Sequence, residues 1–172
     1  LCGTMSVGKT TLVNALKETE QFNNYNFATE RSKYLSNLGI PLNTDSTLKG
    51  QTVFLAERCA ELMQDNIITD RTVFDVMAFT MNAKSIPHQD KDIFEKYAKE
   101  FVREYDYIFY ISPYGLPIED NGVRETDEHY RDLIDFTITT LIKRYSHKCN
   151  TIEKISGSTE ERIQQILTVT GL

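Results

Sequence analysis

One segment near the start of the sequence constrains the fold more than any other feature. Residues 3–10 read GTMSVGKT and match the pattern G-x-x-x-x-G-K-[ST] at every fixed position. Glycines let such a loop curl so that its backbone N–H groups point at phosphate oxygens, and the helix that follows adds its positive N-terminal end. The lysine of this pattern spans the β- and γ-phosphates, and the threonine hydroxyl ligates Mg²⁺. We therefore predict a P-loop that binds ATP and Mg²⁺, with Lys9 catalytic and Thr10 a metal ligand. The predicted nucleotide-binding residues are Gly3, Met5, Ser6, Val7, Gly8, Lys9, Thr10 and Thr11.

The size and composition of the chain suit one globular domain. The 172 residues are 40% hydrophobic and 26% charged, so we expect a single P-loop domain over residues 1–172. Because a P-loop normally follows a strand, we also expect that a few residues of the first strand are missing before Leu1. A net charge of −6 weakly opposes binding to DNA or to a membrane surface, and no apolar run is long enough to span a bilayer.

The cysteines and histidines favour a reducing compartment and no structural metal. The three cysteines are scattered without a C-x-x-C pair, and the three histidines have no metal-ligand spacing. We therefore expect reduced thiols in a cytoplasmic protein.

Strand and helix signals alternate along the chain. Predicted helices cover residues 9–20, 46–64, 72–84, 89–104 and 126–145, and a last one opens at 158–161. Predicted strands cover residues 25–29, 66–70, 105–111 and 151–155. In the helix at 46–64 the inward stripe is expected to carry Leu48, Thr52, Leu55, Cys59 and Leu62. This alternation predicts an α/β fold, a mainly parallel sheet with helices on both faces, whose ligands bind at the carboxyl ends of the strands.

A carboxylate and a guanidinium follow the predicted strand at 66–70. Asp70 can hold Mg²⁺, whereas Arg71 suits an anionic substrate and does not suit the water-activating role of the glutamate in motor ATPases. The guanine-binding N-K-x-D motif of GTPases is missing from the sequence. The alternative interpretation of Asp70-Arg71 is a surface ion pair with a helix cap. Thr72 to Asp75 fits a capping box, so Asp75 is interpreted as structural.

Three further positions are candidates for the acceptor side of a phosphoryl transfer. Glu30-Arg31 ends the strand at 25–29, where a carboxylate can take a proton from an acceptor hydroxyl, although a solvated helix start explains the pair equally well. Arg124 lies in a loop rich in Pro and Gly that can close over a triphosphate. A solvated loop, with Arg131 paired to Asp127 or Asp135, is the alternative.

Taken together, these motifs resemble the P-loop nucleoside and nucleotide kinases. The closest resemblance is to ribosylnicotinamide-kinase-like ATPase domains and to deoxynucleoside kinases, over nearly the whole chain. It implies a three-layer αβα fold with a five-stranded parallel sheet in the order 2-3-1-4-5. It also implies Glu30 or Asp70 as acceptor-side base, a lid that carries Arg124, and Gln51 as a reader of a base edge. The substrate-binding residues implied in this way are Glu30, Arg31, Gln51 and Arg71.

The lead functional hypothesis is ATP-dependent phosphorylation of a small nucleoside or nucleotide. A kinase that acts on a modified base in DNA is a less favoured alternative, because the sequence has no basic run. A nucleotide-dependent regulatory ATPase module is an alternative from another class, and Asp-Arg in place of Asp-Glu argues against it. A vestigial P-loop is disfavoured because Lys9 and Thr10 are intact. The acceptor and the oligomeric state stay open, with a homodimer as one option.

Overall fold

Four short parallel strands organise the computed structural model, which describes residues 1–29, 31–118 and 127–172. Strand β1 (Asn26–Ala28) pairs in parallel with β2 (Ile67–Thr69), and β3 (Tyr107–Ile111) pairs in parallel with β4 (Thr151–Ile155). The predicted run at 151–155 is confirmed at both ends. The other strands are shorter than their predicted ranges, because regular pairing stops where the flanking residues enter turns.

The first two residues join the two strand pairs. The Leu1 nitrogen donates to the Thr69 carbonyl at 2.6 Å. Cys2 forms a parallel bridge with Tyr110, through its own N–H to the Phe109 carbonyl and through its carbonyl to the Ile111 N–H. These two residues form a bridge and not a regular strand. The fold is therefore α/β with parallel strands, and the five-strand order 2-3-1-4-5 stays a prediction.

Seven helices occupy the described parts of the chain. Their bounds are α1 (Lys9–Lys17), α2 (Ser32–Asn37), α3 (Leu48–Glu61), α4 (Val73–Asn82), α5 (His88–Ala98), α6 (Glu128–Tyr145) and α7 (Thr159–Thr170). Short 3₁₀ turns lie at Glu20–Phe22, Asn43–Asp45, Lys99–Glu104 and Ser146–Lys148. No helix in these ranges combines the length and apolar character that crossing a membrane requires.

Local hydrogen bonds explain why three helices differ from the predicted bounds. Helix α1 ends at Lys17 because the chain then tightens into a 3₁₀ turn that buries Phe22. Helix α5 likewise passes into a 3₁₀ turn at Lys99–Glu104. Helix α6 begins at Glu128 because the side chain of Asp127 accepts from the His129 N–H and so caps it.

The buried face of α3 agrees with the predicted stripe in part: Leu55 is buried, and Cys59 and Leu62 are partly buried against the same core. Leu48 and Thr52 are exposed, whereas Gln51, Phe54 and Arg58 are buried. The buried face is therefore wider than the predicted stripe, and it includes the polar Gln51 and Arg58 beside apolar residues of the core.

The core lies on both faces of the strands. Successive residues of β3 point to opposite faces, so Ile108 and Tyr110 join one cluster while Phe109 and Ile111 join the other. The first cluster packs against α3, α4, α5 and α6, and the second against α1 and α7. Helix α4 is buried from Val73 to Thr80, as expected for a helix that is apolar around most of its surface.

Candidate functional site

The P-loop curls at the carboxyl end of β3. Gly3 has φ +150, and a Cβ at this position would lie 2.5 Å from the Ile111 carbonyl oxygen, so only glycine permits this approach to the strand. Gly8 has φ +81 and caps α1 in the left-handed conformation. Ser6, between them, also has a positive φ of 58. The loop therefore depends on the glycines that define its sequence pattern.

The Lys9 ammonium is held against the start of its own loop. Its Nζ donates to the Gly3 carbonyl at 2.5 Å and to the Thr4 carbonyl at 2.7 Å, and it lies 3.9 Å from Asp75 Oδ1. The side chain is 8% exposed. Burial lowers the pKa of this ammonium from its ordinary value, and the charge of Asp75 opposes the shift. The Lys9 ammonium therefore lies beneath the P-loop, bound to two carbonyls of the loop itself.

Asp75 has a second role that the sequence did not reveal. The predicted capping box is confirmed, because Asp75 Oδ2 accepts from the Thr72 N–H at 2.8 Å. Its other oxygen, Oδ1, accepts from the Gly3 N–H at 3.2 Å. The carboxylate is fully buried, so it fixes both the start of α4 and the start of the P-loop. The capping pattern was visible in the sequence, but its contact with Gly3 arises only in the folded chain.

The two predicted metal ligands lie side by side. The Thr10 hydroxyl donates to Asp70 Oδ2 at 2.6 Å, and Asp70 is 1% exposed at the end of β2. The structure describes no cluster of three or more His, Cys, Asp or Glu side chains suited to a metal. A Mg²⁺ site beside a P-loop does not need such a cluster, because phosphate and water supply most ligands around one or two protein oxygens. The Thr10–Asp70 pair fits that donor set.

A cavity opens between the P-loop and helices α3 and α4. Met5 of the loop contributes to its wall, and Gln51, 3% exposed, lines it from α3. Phe79 and Arg71 stand on another side, where the guanidinium lies 5.0 Å from the ring centroid. Ser46 also lines the cavity, and its buried Oγ makes no hydrogen bond. Apolar walls with a few buried polar groups are typical of ligand sites, but the cavity has a volume of only about 40 Å³, whereas ligand sites enclose roughly 300–1,000 Å³. A nucleoside could therefore enter only if the surrounding side chains moved apart.

Arg31 lies apart from this cavity. Its side chain is 52% exposed, pairs with Glu57 Oε1 at 3.4 Å and lies 4.3 Å from the Tyr34 ring centroid. The structure therefore brings Gln51 and Arg71 together but leaves Arg31 on the surface. Glu30 and Arg124 lie outside the described residues, and Thr11 is exposed on α1.

Two arginines buried near the P-loop were not assigned from the sequence. The Arg131 Nη1 donates to the Leu116 carbonyl at 2.8 Å, and the Arg131 carbonyl accepts from the Thr4 hydroxyl at 3.1 Å. The alternative interpretation paired Arg131 with Asp127 or Asp135, but no ion pair of the described residues joins it to either. Arg162 of α7 donates from Nη1 to the Val7 carbonyl at 2.8 Å. No short motif marks either residue, since both contacts join distant parts of the chain.

A larger cavity of about 620 Å³ lies at the other end of the strands. Ile67 and Tyr107, which begin β2 and β3, contribute to its lining. Ligands of parallel sheets bind at the carboxyl ends of the strands, where the P-loop lies. This cavity is therefore distinct from the candidate site in spite of its size.

Comparisons with known proteins agree with this geometry. The chain belongs to the AAA domain family, whose model matches residues 1–162. The structure of deoxyadenosine kinase from M. mycoides with bound dCTP is similar, with 17% identity, a TM-score of 0.65, and coverage of 98% of this chain and 96% of that chain. The same enzyme with the products dCMP and a flexible dCDP gives 18% identity, a TM-score of 0.65, and coverage of 98% and 95%. The search of curated proteins gave no match. The resemblance to P-loop nucleoside kinases is thus confirmed at the level of fold, whereas the ribosylnicotinamide-kinase-like family is not confirmed.

Proposed function

We propose that this protein is an ATP-dependent kinase that phosphorylates a hydroxyl group of a nucleoside or nucleotide. The observation that carries the proposal is the cavity that shares Met5 with the P-loop. A ligand in this cavity would lie next to the terminal phosphate of a nucleotide held by the loop. Enzymes catalyse phosphoryl transfer mainly by placing donor and acceptor next to each other and by stabilising the transferring charge.

The donor side of the proposed site consists of the P-loop and the end of β2. Backbone N–H groups from Met5 to Lys9 would bind the β-phosphate, and Lys9 would leave its carbonyl partners to bridge the β- and γ-phosphates. Thr10 and Asp70 would hold Mg²⁺. When bound, this ion neutralises charge on the β- and γ-phosphates. Together these groups would stabilise the charge of the transferring phosphoryl group.

The acceptor side of the proposed site is the cavity between α3 and α4, which would have to widen from about 40 Å³ to take a nucleoside. Gln51 offers an amide that both donates and accepts, which matches the mixed donor and acceptor edge of a nucleobase. Phe79 and Phe54 provide apolar walls for the base. The unpartnered Ser46 hydroxyl would gain a hydrogen bond from the ligand, because a buried polar group without a partner is costly. Arg71, at the end of β2, would bind a phosphate or a sugar oxygen.

The proposed phosphoryl transfer requires one general base, which takes the proton of the acceptor hydroxyl. The acceptor oxygen forms a bond to the γ-phosphorus, the bond from that phosphorus to the β-γ bridging oxygen breaks, and ADP leaves. The acceptor proton passes to a carboxylate. Asp70 already accepts from Thr10, which supports a metal-binding role for it and leaves the base role to Glu30. Arg124 is proposed to act as a lid cation on the leaving phosphates.

A regulatory ATPase module is the second candidate, because the matched family carries the description AAA domain. Such a module would hydrolyse ATP slowly without any acceptor and would bind a partner only in the ATP state. The cavity beside Met5 and the Asp70-Arg71 sequence favour the kinase. Phosphorylation of a modified base in DNA is a further alternative, and the screen described next tests it by including DNA.

The experiment is a screen for ADP release with nucleosides, ribosylnicotinamide and nucleoside monophosphates, each with and without DNA. We expect one small acceptor class to accelerate ADP release and Lys9→Ala to abolish it while the protein stays folded. Equal ATP affinity of wild type and Lys9→Ala by calorimetry would show that the phosphate site is wrongly assigned. ADP release that no acceptor accelerates would support the ATPase module.

A matched pair of glutamine variants tests the acceptor cavity. Gln51→Ala should raise KM for the accepted nucleoside about tenfold to a hundredfold, the effect of one lost hydrogen bond to a ligand, with KM for ATP unchanged. Gln64→Ala, at an exposed position, should change neither value. If both variants behave alike, the acceptor does not bind in this cavity.

A further inference from the structure

Arg162 contacts the P-loop from outside the motif. It lies on α7, more than 150 residues along the chain from Val7, and its Nη1 donates to the Val7 carbonyl at 2.8 Å. The same nitrogen lies 3.2 Å from the position of a Cβ built on Gly8. Arg162 is 7% exposed. The guanidinium therefore occupies a fixed, buried position against the back of the loop.

The peptide bond between Val7 and Gly8 links this contact to the phosphate side of the loop. A trans peptide unit is planar, and its C=O and N–H point in opposite directions. A guanidinium that holds the Val7 carbonyl on one side of the loop consequently directs the Gly8 N–H to the other side. A hydrogen bond to the carbonyl also polarises the peptide unit and makes its N–H a stronger donor.

The charge of Arg162 lacks a carboxylate partner among the residues that the structure describes. None of the ion pairs formed there includes it, and its buried Nε makes no hydrogen bond. Burial lowers the pKa of this guanidinium. A buried cation without a counterion is costly, and a polyanion bound a few ångströms away reduces that cost. A bound phosphate group would therefore compensate the positive charge of Arg162, which has no carboxylate partner among the described residues.

We propose that Arg162 is a positioning residue for the P-loop, which orients the Gly8 N–H and completes the electrostatic environment of the bound triphosphate. This inference rests on the proposed ATP site but adds a residue from the last helix to it. It also gives α7 a role in nucleotide affinity, although α7 contributes none of the motif residues.

Three substitutions separate the hydrogen bond from the charge. Arg162→Met keeps most of the apolar stem and removes both, Arg162→Gln keeps an N–H donor without charge, and Arg162→Lys keeps the charge and a donor. The control is Arg103→Met, at a side chain that is 63% exposed and pairs with Glu100. Urea unfolding midpoints report whether each variant folds.

The first measurement is the ¹⁵N chemical shift of the Gly8 amide in the ligand-free protein, which responds to a hydrogen bond at the preceding Val7 carbonyl. We expect the largest change of this shift in Arg162→Met, a smaller change in Arg162→Gln and Arg162→Lys, and no change in the control. The second is ATP–Mg²⁺ affinity by calorimetry. We expect Arg162→Met to weaken binding by about tenfold to a hundredfold, the effect of one hydrogen bond to a charged group, with Arg162→Lys nearest to wild type.

The two measurements distinguish this inference from the proposed function. An unchanged Gly8 amide shift in folded Arg162→Met overturns the inference, whether or not an acceptor is ever found. If Arg162→Met does not fold, an unchanged shift in both Arg162→Gln and Arg162→Lys overturns it equally. Wild type that fails to bind ATP overturns the proposed function, and the Gly8 amide shift then decides the positioning role alone.

Discussion

Asp75→Asn is the substitution for which the structure gives the sharpest expectation. The Asp75 carboxylate is fully buried and uses both oxygens: Oδ1 accepts from the Gly3 N–H, and Oδ2 accepts from the N–H and the hydroxyl of Thr72. An amide has one acceptor and one donor end. In either orientation its NH₂ faces a buried donor, so at least one backbone N–H loses its partner.

The magnitude follows from these contacts. A buried donor left without an acceptor costs about 1–3 kcal/mol. Lys9 also loses its ion-pair partner Asp75, and breaking a buried ion pair costs about 3–5 kcal/mol. The Lys9 value belongs at the lower end, because the pair is 3.9 Å apart and two carbonyls still bind Nζ. We expect a loss of about 3 kcal/mol or more, which lowers Tm by about 6–12 °C for a chain of this size.

The assay is urea and thermal unfolding with the second capping box of the chain as control. Glu161 Oε2 accepts from the Ser158 N–H at 2.7 Å in the same motif, but it is exposed and far in sequence from the P-loop. Glu161→Gln should cost about 0.5 kcal/mol, the lower end of the range for helix caps. If Asp75→Asn lowers the free energy of unfolding no more than Glu161→Gln does, Asp75 acts only as a helix cap. Its hydrogen bond to the P-loop then contributes nothing to stability.

Two further predictions concern the loop and a buried carboxyl. Gly3→Ala should lower the free energy of unfolding by about 2 kcal/mol or more, because a Cβ at this position meets a carbonyl oxygen. Gly39 has φ +82 and open space around it, so Gly39→Ala should lose only about 1 kcal/mol in urea unfolding. Burial raises the pKa of Asp135, which accepts from the Tyr110 hydroxyl, so the folded state binds the proton more tightly than the unfolded state. The free energy of unfolding of wild type minus that of Asp135→Asn, measured by urea unfolding, should therefore fall as pH rises above the ordinary Asp value of 3.8; a flat difference would contradict the assignment.

The sequence predicted the elements whose signals are local. The P-loop glycines act through their own backbone angles, and the β-rich run at 107–111 forms a strand over that whole range. The capping box at Thr72 to Asp75 involves residues three apart. Each of these features is decided within a few residues, so a pattern is sufficient to find it.

The contacts that complete the candidate site are not local. Gln51 is buried because the inward face of α3 is wider than the predicted stripe, and periodicity alone does not fix the width of a buried face. The second bond of Asp75 and the contact of Arg162 with Val7 join segments far apart in the sequence. Only tertiary packing decides such contacts, and for this reason the motif predicted the donor side of the site better than its supporting residues.

The bridge made by Leu1 and Cys2 has a consequence for the order in which the protein forms during synthesis. Leu1 bonds to Thr69, 68 residues later, and Cys2 bonds to Phe109 and Ile111. Contacts at this separation form late, because the intervening chain must first be made and then closed into a loop. We therefore expect the P-loop, although translated early, to acquire its ligand-binding shape only after Ile111 has left the ribosome, so that a nascent chain shorter than this binds no nucleotide.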